Sequence, residues 1–160
     1  MTISVGDKIP HVDLYRMGDG RPEKISSEEL FAGKKTVLFG LPGAFTPTCS
    51  AAHLPGYLVK SDELRAKGVD QIVCLSVNDA FVMDAWGKHQ NVEDKIVMIA
   101  DGSGDFARAV GLDVDMSARG FGVRSQRYAM VIDDGVVAHL NVEAPGKFEV
   151  SDAETVLRAL

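Results

Sequence analysis

The sequence predicts an α/β fold in which a mixed β-sheet carries helices on both faces. Segments 71–77 and 95–100 are almost continuously apolar, which is typical of strands buried on both faces. Helix-type segments alternate with these strands, and that alternation favours layers of helices around a sheet. With 160 residues, 46% of them hydrophobic, the chain has the length of one domain with a full core, so we predict a single domain over residues 1–160.

The first elements are a hairpin, a short helix, a strand and a long helix. Segments 12–15 and 22–25 flank a Gly-Asp-Gly turn, and the Ser-Ser-Glu-Glu run at 26–29 is typical of a capping box. The apolar run 36–41 predicts a strand. The helix after it should end near residue 68 and be kinked by the Pro-Gly pair at 55–56.

The second half of the chain continues the alternation and closes with a hairpin and a helix. In order, we predict a strand at 71–77, a helix capped by Asn78 that runs through Trp86, a strand at 95–100, a short helix at 105–110, a hairpin of strands 128–132 and 136–140, and a closing helix to Leu160. This order is the thioredoxin-like layout, with extra elements at the N-terminus and in the middle.

Composition excludes several classes of protein. The net charge of −6 and pI near 5.1 argue against nucleic acid or an anionic membrane as the main partner. No apolar run approaches the ~20 residues of a membrane span, and residues 1–8 lack the features of a signal peptide. Two cysteines without a signal suggest reduced thiols and a cytoplasmic location, an organellar form trimmed of its transit peptide being the alternative. The scattered histidines suggest no metal site.

One segment carries most of the functional information. Residues 42–49 follow the strand at 36–41 and deliver Cys49 to the first turn of a helix, with Thr46 as N-cap and Pro47 at the first helical position. A helix N-terminus stabilises the thiolate, which is the reactive form of cysteine. The alternative, a buried cysteine that serves as a small hydrophobic residue, fits poorly with the polar neighbours of Cys49.

The pattern Pro42-x-x-x-Thr46-x-x-Cys49 resembles the active-site signature of the peroxiredoxins. The longer run Pro-Gly-Ala-Phe-Thr-Pro-Thr-Cys-Ser is similar to that of the type II, or peroxiredoxin-5-like (atypical), branch. The likeness covers essentially the whole chain, because further matching stretches lie at 53–56, 76–79, 81–83, 85–86, 100–102 and 127–129.

The resemblance implies a cofactor-free, thiol-dependent peroxidase that reduces hydrogen peroxide and organic hydroperoxides in antioxidant defence. Cys49 would be the peroxidatic nucleophile and would become a sulfenic acid. The resemblance implies that Thr46 orients the sulfur and the peroxide, that Pro42 shields the thiolate, and that Arg127 is the catalytic cation, with Arg124 a weaker second choice. Backbone N–H groups of the helix start would complete the cradle.

Three further side chains near this motif have open roles. His53 lies four residues after Cys49 on the same helix face, where a packed or hydrogen-bonded role is favoured over a proton shuttle. Phe45 and Phe121 are candidates for an apolar substrate pocket, although core or dimer packing explains them equally well.

The second cysteine leaves the regeneration step open. Cys74 lies in mid-strand, so a disulfide with Cys49 would require local unwinding; a packed core thiol is favoured over a resolving cysteine. Relatives that resolve with a cysteine before the last helix differ from this chain, which has none at 146–151. The expected reductant is therefore an outside thiol, either glutaredoxin with glutathione or thioredoxin.

The resemblance also implies a homodimer packed near the active-site loops. An alternative function uses the same sulfur: a redox sensor or relay that passes the oxidation of Cys49 to a partner protein. The paired presence of Thr46 and Arg127 favours the enzyme, because such a cradle serves rapid peroxide turnover.

Overall fold

The computed structural model describes residues 1–160, which form nine strands and six α-helices. The strands are β1 (Asp13–Met17), β2 (Pro22–Ser26), β3 (Lys35–Leu41), β4 (Gln71–Ser76), β5 (Val97–Ala100), β6 (Asp113–Asp115), β7 (Val123–Ser125), β8 (Tyr128–Asp133) and β9 (Val136–Val142). The α-helices are α1 (Ser27–Phe31), α2 (Leu54–Val59), α3 (Ser61–Ala66), α4 (Ala80–His89), α5 (Asp105–Ala109) and α6 (Ala153–Ala159). None of these helices has the length and apolar character needed to cross a bilayer.

Seven strands form one mixed sheet in the order β2-β1-β5-β4-β3-β8-β9. The three central strands, β5, β4 and β3, run parallel, while β8 and β1 pair with them antiparallel. Parallel neighbours end at the same edge of a sheet, so the loops that follow β3 and β4 meet there. The predicted α/β architecture with its N-terminal hairpin is confirmed.

Each face of the sheet is covered by its own apolar cluster, because side chains alternate between the two faces along a strand. The face under α2, α4 and α6 buries, among others, Phe39, Cys49, Tyr57, Cys74 and Trp86. The face under α1 and α5 buries, among others, Leu14, Leu38, Phe106, Tyr128 and Ile132. Both cysteines therefore belong to the same layer.

In the second half of the chain, two local predictions differ from the structure. The cap of α4 is Asp79, whose carboxylate accepts from Val82 N, and not Asn78. The segment after α5, for which no strand was predicted, forms the two-stranded β6–β7 sheet. Three-residue strands are too short to give a readable alternation of side chains, which explains why the sequence pattern missed them.

Replacement of Gly40 by alanine is expected to destabilise the fold. Gly40 pairs with Tyr128 across β3 and β8, and a Cβ at Gly40 would lie 2.3 Å from Cε1 of that buried ring. Overpacking of this kind costs about 1–3 kcal/mol, which urea unfolding of Gly40→Ala would measure. Gly56→Ala is the control, since nothing lies near its Cβ position; equal stabilities for the two variants would contradict the prediction.

Candidate active site

The loop after β3 is tied to the end of β4 by Asn78. Its Oδ1 accepts hydrogen bonds from Ala44 N at 3.0 Å and from Ser76 Oγ at 2.7 Å. The amide thus connects the two parallel strand ends at the edge where ligand sites of α/β folds commonly lie. Asn78 positions the loop before Cys49 rather than starting the next helix.

Arg124 holds the same loop from the other side. Its Nη1 donates to Pro42 O at 3.2 Å and its Nε donates to Phe121 O at 3.0 Å. A Cβ at Gly43 would meet Nη1 of Arg124 at 2.6 Å, so glycine leaves the space that this side chain fills. Arg124 is a structural tie between two loops.

The helix that carries Cys49 begins in α-helical geometry at Pro47 and then widens into a π-helical turn, Cys49–His53. Within this turn Leu54 N bonds to Cys49 O, one residue further back than in an α-helix. Ser50 O gains no intrahelical donor from Pro55, which has no N–H; instead, Gln90 Nε2 donates to it at 3.3 Å. Where a kink was predicted at 55–56, the helix instead widens before Pro55 and then breaks at Lys60, between α2 and α3.

Arg127 links the sulfur to His53. Its Nη2 donates to Cys49 Sγ at 3.2 Å, and its Nη1 lies 2.8 Å from His53 Nδ1. Cys49 is fully buried, so the guanidinium meets the sulfur where little water competes. A cation at hydrogen-bond distance stabilises the thiolate over the thiol.

The protonation of His53 follows from its partners. His53 Nε2 lies 3.1 Å from Ser151 O, which only accepts, while the guanidinium at Nδ1 only donates. The ring is thus neutral with its hydrogen on Nε2. Burial, and next the charge on Arg127, lower the pKa of His53 to about 3.

Apolar rings surround this imidazole. Phe39, Tyr57 and Phe148 lie with their ring centroids 5.0, 5.6 and 5.1 Å from that of His53. The Tyr57 hydroxyl also donates to Ser151 O at 2.7 Å. The packed, hydrogen-bonded interpretation of His53 is the one that the geometry supports, because both ring nitrogens are engaged in hydrogen bonds and neither is free to exchange a proton with a substrate.

The segment that carries the Ser151 carbonyl is in turn held by the carboxylate of Glu143. Backbone N–H groups of Glu149, Val150 and Ser151 and the Ser151 hydroxyl donate to it at 2.7–2.9 Å. Burial alone raises the pKa of Glu143, but these hydrogen bonds outweigh it and the net pKa is lowered. A chain of contacts therefore runs from Glu143 through Ser151, His53 and Arg127 to Cys49.

A cavity of about 360 Å³ opens above this chain. Its lining includes Pro42, Thr46, Phe121, Arg127 and Phe148. The Thr46 hydroxyl donates to Gly43 O at 2.6 Å, rather than capping the helix, and its lone pairs remain able to accept. The structure thus brings together four predicted site residues: Cys49, Thr46, Pro42 and Arg127.

Of the two phenylalanines considered for the substrate pocket, only one lines the cavity. Phe121 lines the cavity and lies under the Arg124 guanidinium, whose Cζ is 5.4 Å from the centroid of the Phe121 ring. Phe45 does not line it: its φ of 63° turns the side chain over α4, with ring centroids 5.7 Å from His89 and 6.4 Å from Trp86. The expectation that Phe45 borders the substrate pocket is therefore corrected, and half of this side chain remains exposed (50%).

Cys74 lies in β4 opposite Phe39 and is fully buried as a free thiol, as is Cys49. Burial, and next the charge on Cys49, raise the pKa of Cys74 well above its usual range. A neutral, buried thiol is a poor nucleophile. No group of three or more His, Cys, Asp or Glu side chains is placed to hold a metal ion.

Sequence reasoning missed Asn78, Glu143 and Phe148 as parts of this site. The position of Asn78 at the end of a buried strand was a usable signal, because parallel strand ends converge. Glu143 and Phe148 gave none: they lie more than ninety residues from Cys49 in the chain and reach it through tertiary packing.

Comparison with known proteins identifies the family. The redoxin family model matches residues 4–157. Peroxiredoxin-2B of Arabidopsis thaliana is 48% identical, over 99% of this chain and 98% of its own, and the chloroplastic peroxiredoxin-2E of the same plant is 50% identical, over 99% and 70%. Reduced Prx3 of Vibrio vulnificus, solved with hydrogen peroxide, superposes with a TM-score of 0.95 at 57% identity, covering 99% of both chains. The chain therefore belongs to the redoxin family and is a type II peroxiredoxin, a thiol-dependent peroxidase with the thioredoxin-like fold.

Proposed function

We propose that Cys49 is the peroxidatic cysteine and that it reduces hydrogen peroxide and organic hydroperoxides. The observation that carries this proposal is the hydrogen bond to Cys49 Sγ from Nη2 of Arg127, a residue that lines the cavity. The thiolate attacks the terminal peroxide oxygen, an S–O bond forms and the O–O bond breaks. Cys49 becomes a sulfenic acid, and the departing hydroxide or alkoxide takes a proton from solvent water to become water or an alcohol.

Thr46 orients the peroxide in this scheme. Because its own hydrogen is donated to Gly43 O, its oxygen presents lone pairs to the cavity. A peroxide O–H can donate to these lone pairs and thereby turn its oxygen toward the sulfur. Pro42, half-buried at the cavity wall, limits the access of water to the reacting atoms.

His53 orients Arg127 rather than moving a proton. Its pKa of about 3 keeps the ring neutral at physiological pH, and its Nδ1 accepts from the guanidinium. One N–H of Arg127 is thereby fixed on the ring and the other on the sulfur. A cation held in this way stabilises both the thiolate and the charge that develops on the departing oxygen, without reorganisation.

An outside thiol resets the sulfur in this proposal, through glutaredoxin and glutathione or through thioredoxin. The support is the burial of Cys74 and the lack of another cysteine in the chain. We also propose a cytoplasmic homodimer packed near these loops. Two free thiols support the location, and the exposed rings of Phe45 and Phe121 support the contact.

Substitution of Cys49 by serine is expected to abolish peroxide consumption, because a hydroxyl is a far weaker nucleophile than a thiolate. Steady-state assays with hydrogen peroxide and each thiol donor would measure it. Cys74→Ser is the matched control and should retain turnover. If the unmodified protein consumes peroxide only once per chain with every donor, the sensor or relay function replaces the peroxidase.

Oxidation by one equivalent of peroxide is expected to leave Cys49 as a sulfenic acid that dimedone traps. The reason is that Cys74, neutral and buried mid-strand, cannot reach the sulfur without unwinding of the helix. Non-reducing mass spectrometry of the intact chain distinguishes the products. A loss of two hydrogens within one chain would instead assign Cys74 as the resolving cysteine.

Removal of the Glu143 carboxylate is expected to slow the oxidation of Cys49. Glu143→Ala frees the segment that carries Ser151 O, so His53 and Arg127 lose their fixed orientation. We expect the second-order rate constant to decrease about ten-fold, and the rate constant of Glu143→Gln to lie between those of the unmodified protein and Glu143→Ala. Stopped-flow oxidation would measure this. Tyr57→Phe removes only the hydrogen bond that the Tyr57 hydroxyl donates to Ser151 O, leaves the Glu143 contacts in place and should change the rate far less; equal effects would refute the positioning role.

A further inference from the structure

The mouth of the active-site cavity carries cations that the chemistry at Cys49 does not use. Arg119 and Lys147 line this cavity together with Arg127, and no acidic residue lines it. The chain as a whole has 23 acidic and 17 basic residues, so this patch runs against the overall charge. A local excess of one sign in a cleft attracts ligands of the opposite sign.

These two cations are also free of partners. Arg119 and Lys147 are exposed, and neither forms an ion pair with a carboxylate. The acidic groups of the adjoining cavity, Asp115 and Glu143, are engaged elsewhere: Asp115 accepts from Ser117 N and Glu143 accepts from the segment before α6. Neither carboxylate lies within ion-pair distance of Arg119 or Lys147.

The cavity between these cations and the site is partly apolar. Phe121 and Phe148 line it, and so do the half-buried Thr46 and Arg127, the latter of which donates to Cys49 Sγ. A small ligand with an anionic group at one end, a short apolar chain and a reactive group at the other end matches this order. Neutral hydrogen peroxide would make no use of the outer cations.

We propose that Arg119 and Lys147 form a carboxylate subsite for the small molecule that reacts at Cys49. This inference rests on the proposed peroxidase function and names its substrate class: carboxylate-bearing alkyl hydroperoxides in the oxidation step, or carboxylate-bearing thiols in the reduction step. Guanidinium and ammonium groups both bind carboxylates, the former with two parallel hydrogen bonds.

The test compares each carboxylate with its methyl ester in the two half-reactions. Oxidation uses ω-hydroperoxyhexanoate and its ester, and reduction of the preformed sulfenic acid uses mercaptopropionate and its ester. The single tryptophan, Trp86, reports on the site, because its Nε1 donates to Ser50 Oγ beside Cys49. In Arg119→Gln/Lys147→Gln we expect the rate constant for the carboxylate to fall about three- to ten-fold while that for the ester is unchanged.

The half-reaction that shows this loss identifies the ligand as the hydroperoxide or the thiol. Added salt should reduce the preference of the unmodified protein for the carboxylate, because exposed charges are screened. Arg16→Gln/Lys24→Gln is the control: it removes the same charge from the hairpin at the opposite edge of the sheet and should leave both rates unchanged.

Equal losses for acid and ester, or no loss in either half-reaction, would overturn the proposal while leaving the peroxidase function intact if the esters still react. NMR titration with hexanoate and hexanol gives a readout that needs no turnover. Hexanoate should shift resonances at the cavity mouth of the unmodified protein and not of the double variant; identical titrations for the two proteins would refute the subsite even if the peroxidase function failed.

Discussion

The arrangement of the site depends on one guanidinium that has two fixed neighbours. Arg127 donates to the buried sulfur of Cys49 through Nη2 and to the neutral ring of His53 through Nη1. A thiolate buried without such a cation would be costly, because a buried charge without a partner loses its hydration and gains nothing in return. The rest of the site holds these three groups in register.

Three side chains outside this group fix the backbone that carries it. Asn78 ties the loop before Cys49 to the end of β4, Arg124 ties it to Phe121, and Glu143 ties down the segment that carries Ser151 O. In the π-helical turn Leu54 N bonds to Cys49 O, one residue further back than in an α-helix, so the sulfur and His53 do not stand at α-helical spacing. The chemistry is therefore confined to a small group of atoms, while the groups that position them come from distant parts of the chain.

The elements that the sequence predicted well are those whose signals are local. The hairpin at β1–β2, the N-cap at Ser26, the buried strand β4 and the turn between β8 and β9 all appear where periodicity and turn residues indicate them. The motif from Pro42 to Cys49 likewise predicted a cysteine in the first turn of a helix. Predictions were wrong where a local signal had two outcomes, as at Asn78, whose amide binds a neighbouring loop instead of capping a helix.

By itself the sequence determined the candidate cysteine, its entry into a helix and the alternation of strands and helices, because these follow from the order of neighbouring residues. Tertiary structure alone decided that His53 is neutral and bonded to Arg127, that Phe45 turns away from the cavity, and that Glu143 holds the segment of Ser151. The physical reason is that burial, hydrogen-bond partners and charge depend on groups brought together from across the chain. A side chain's type states which bonds it can make, and only its folded surroundings determine which of them form.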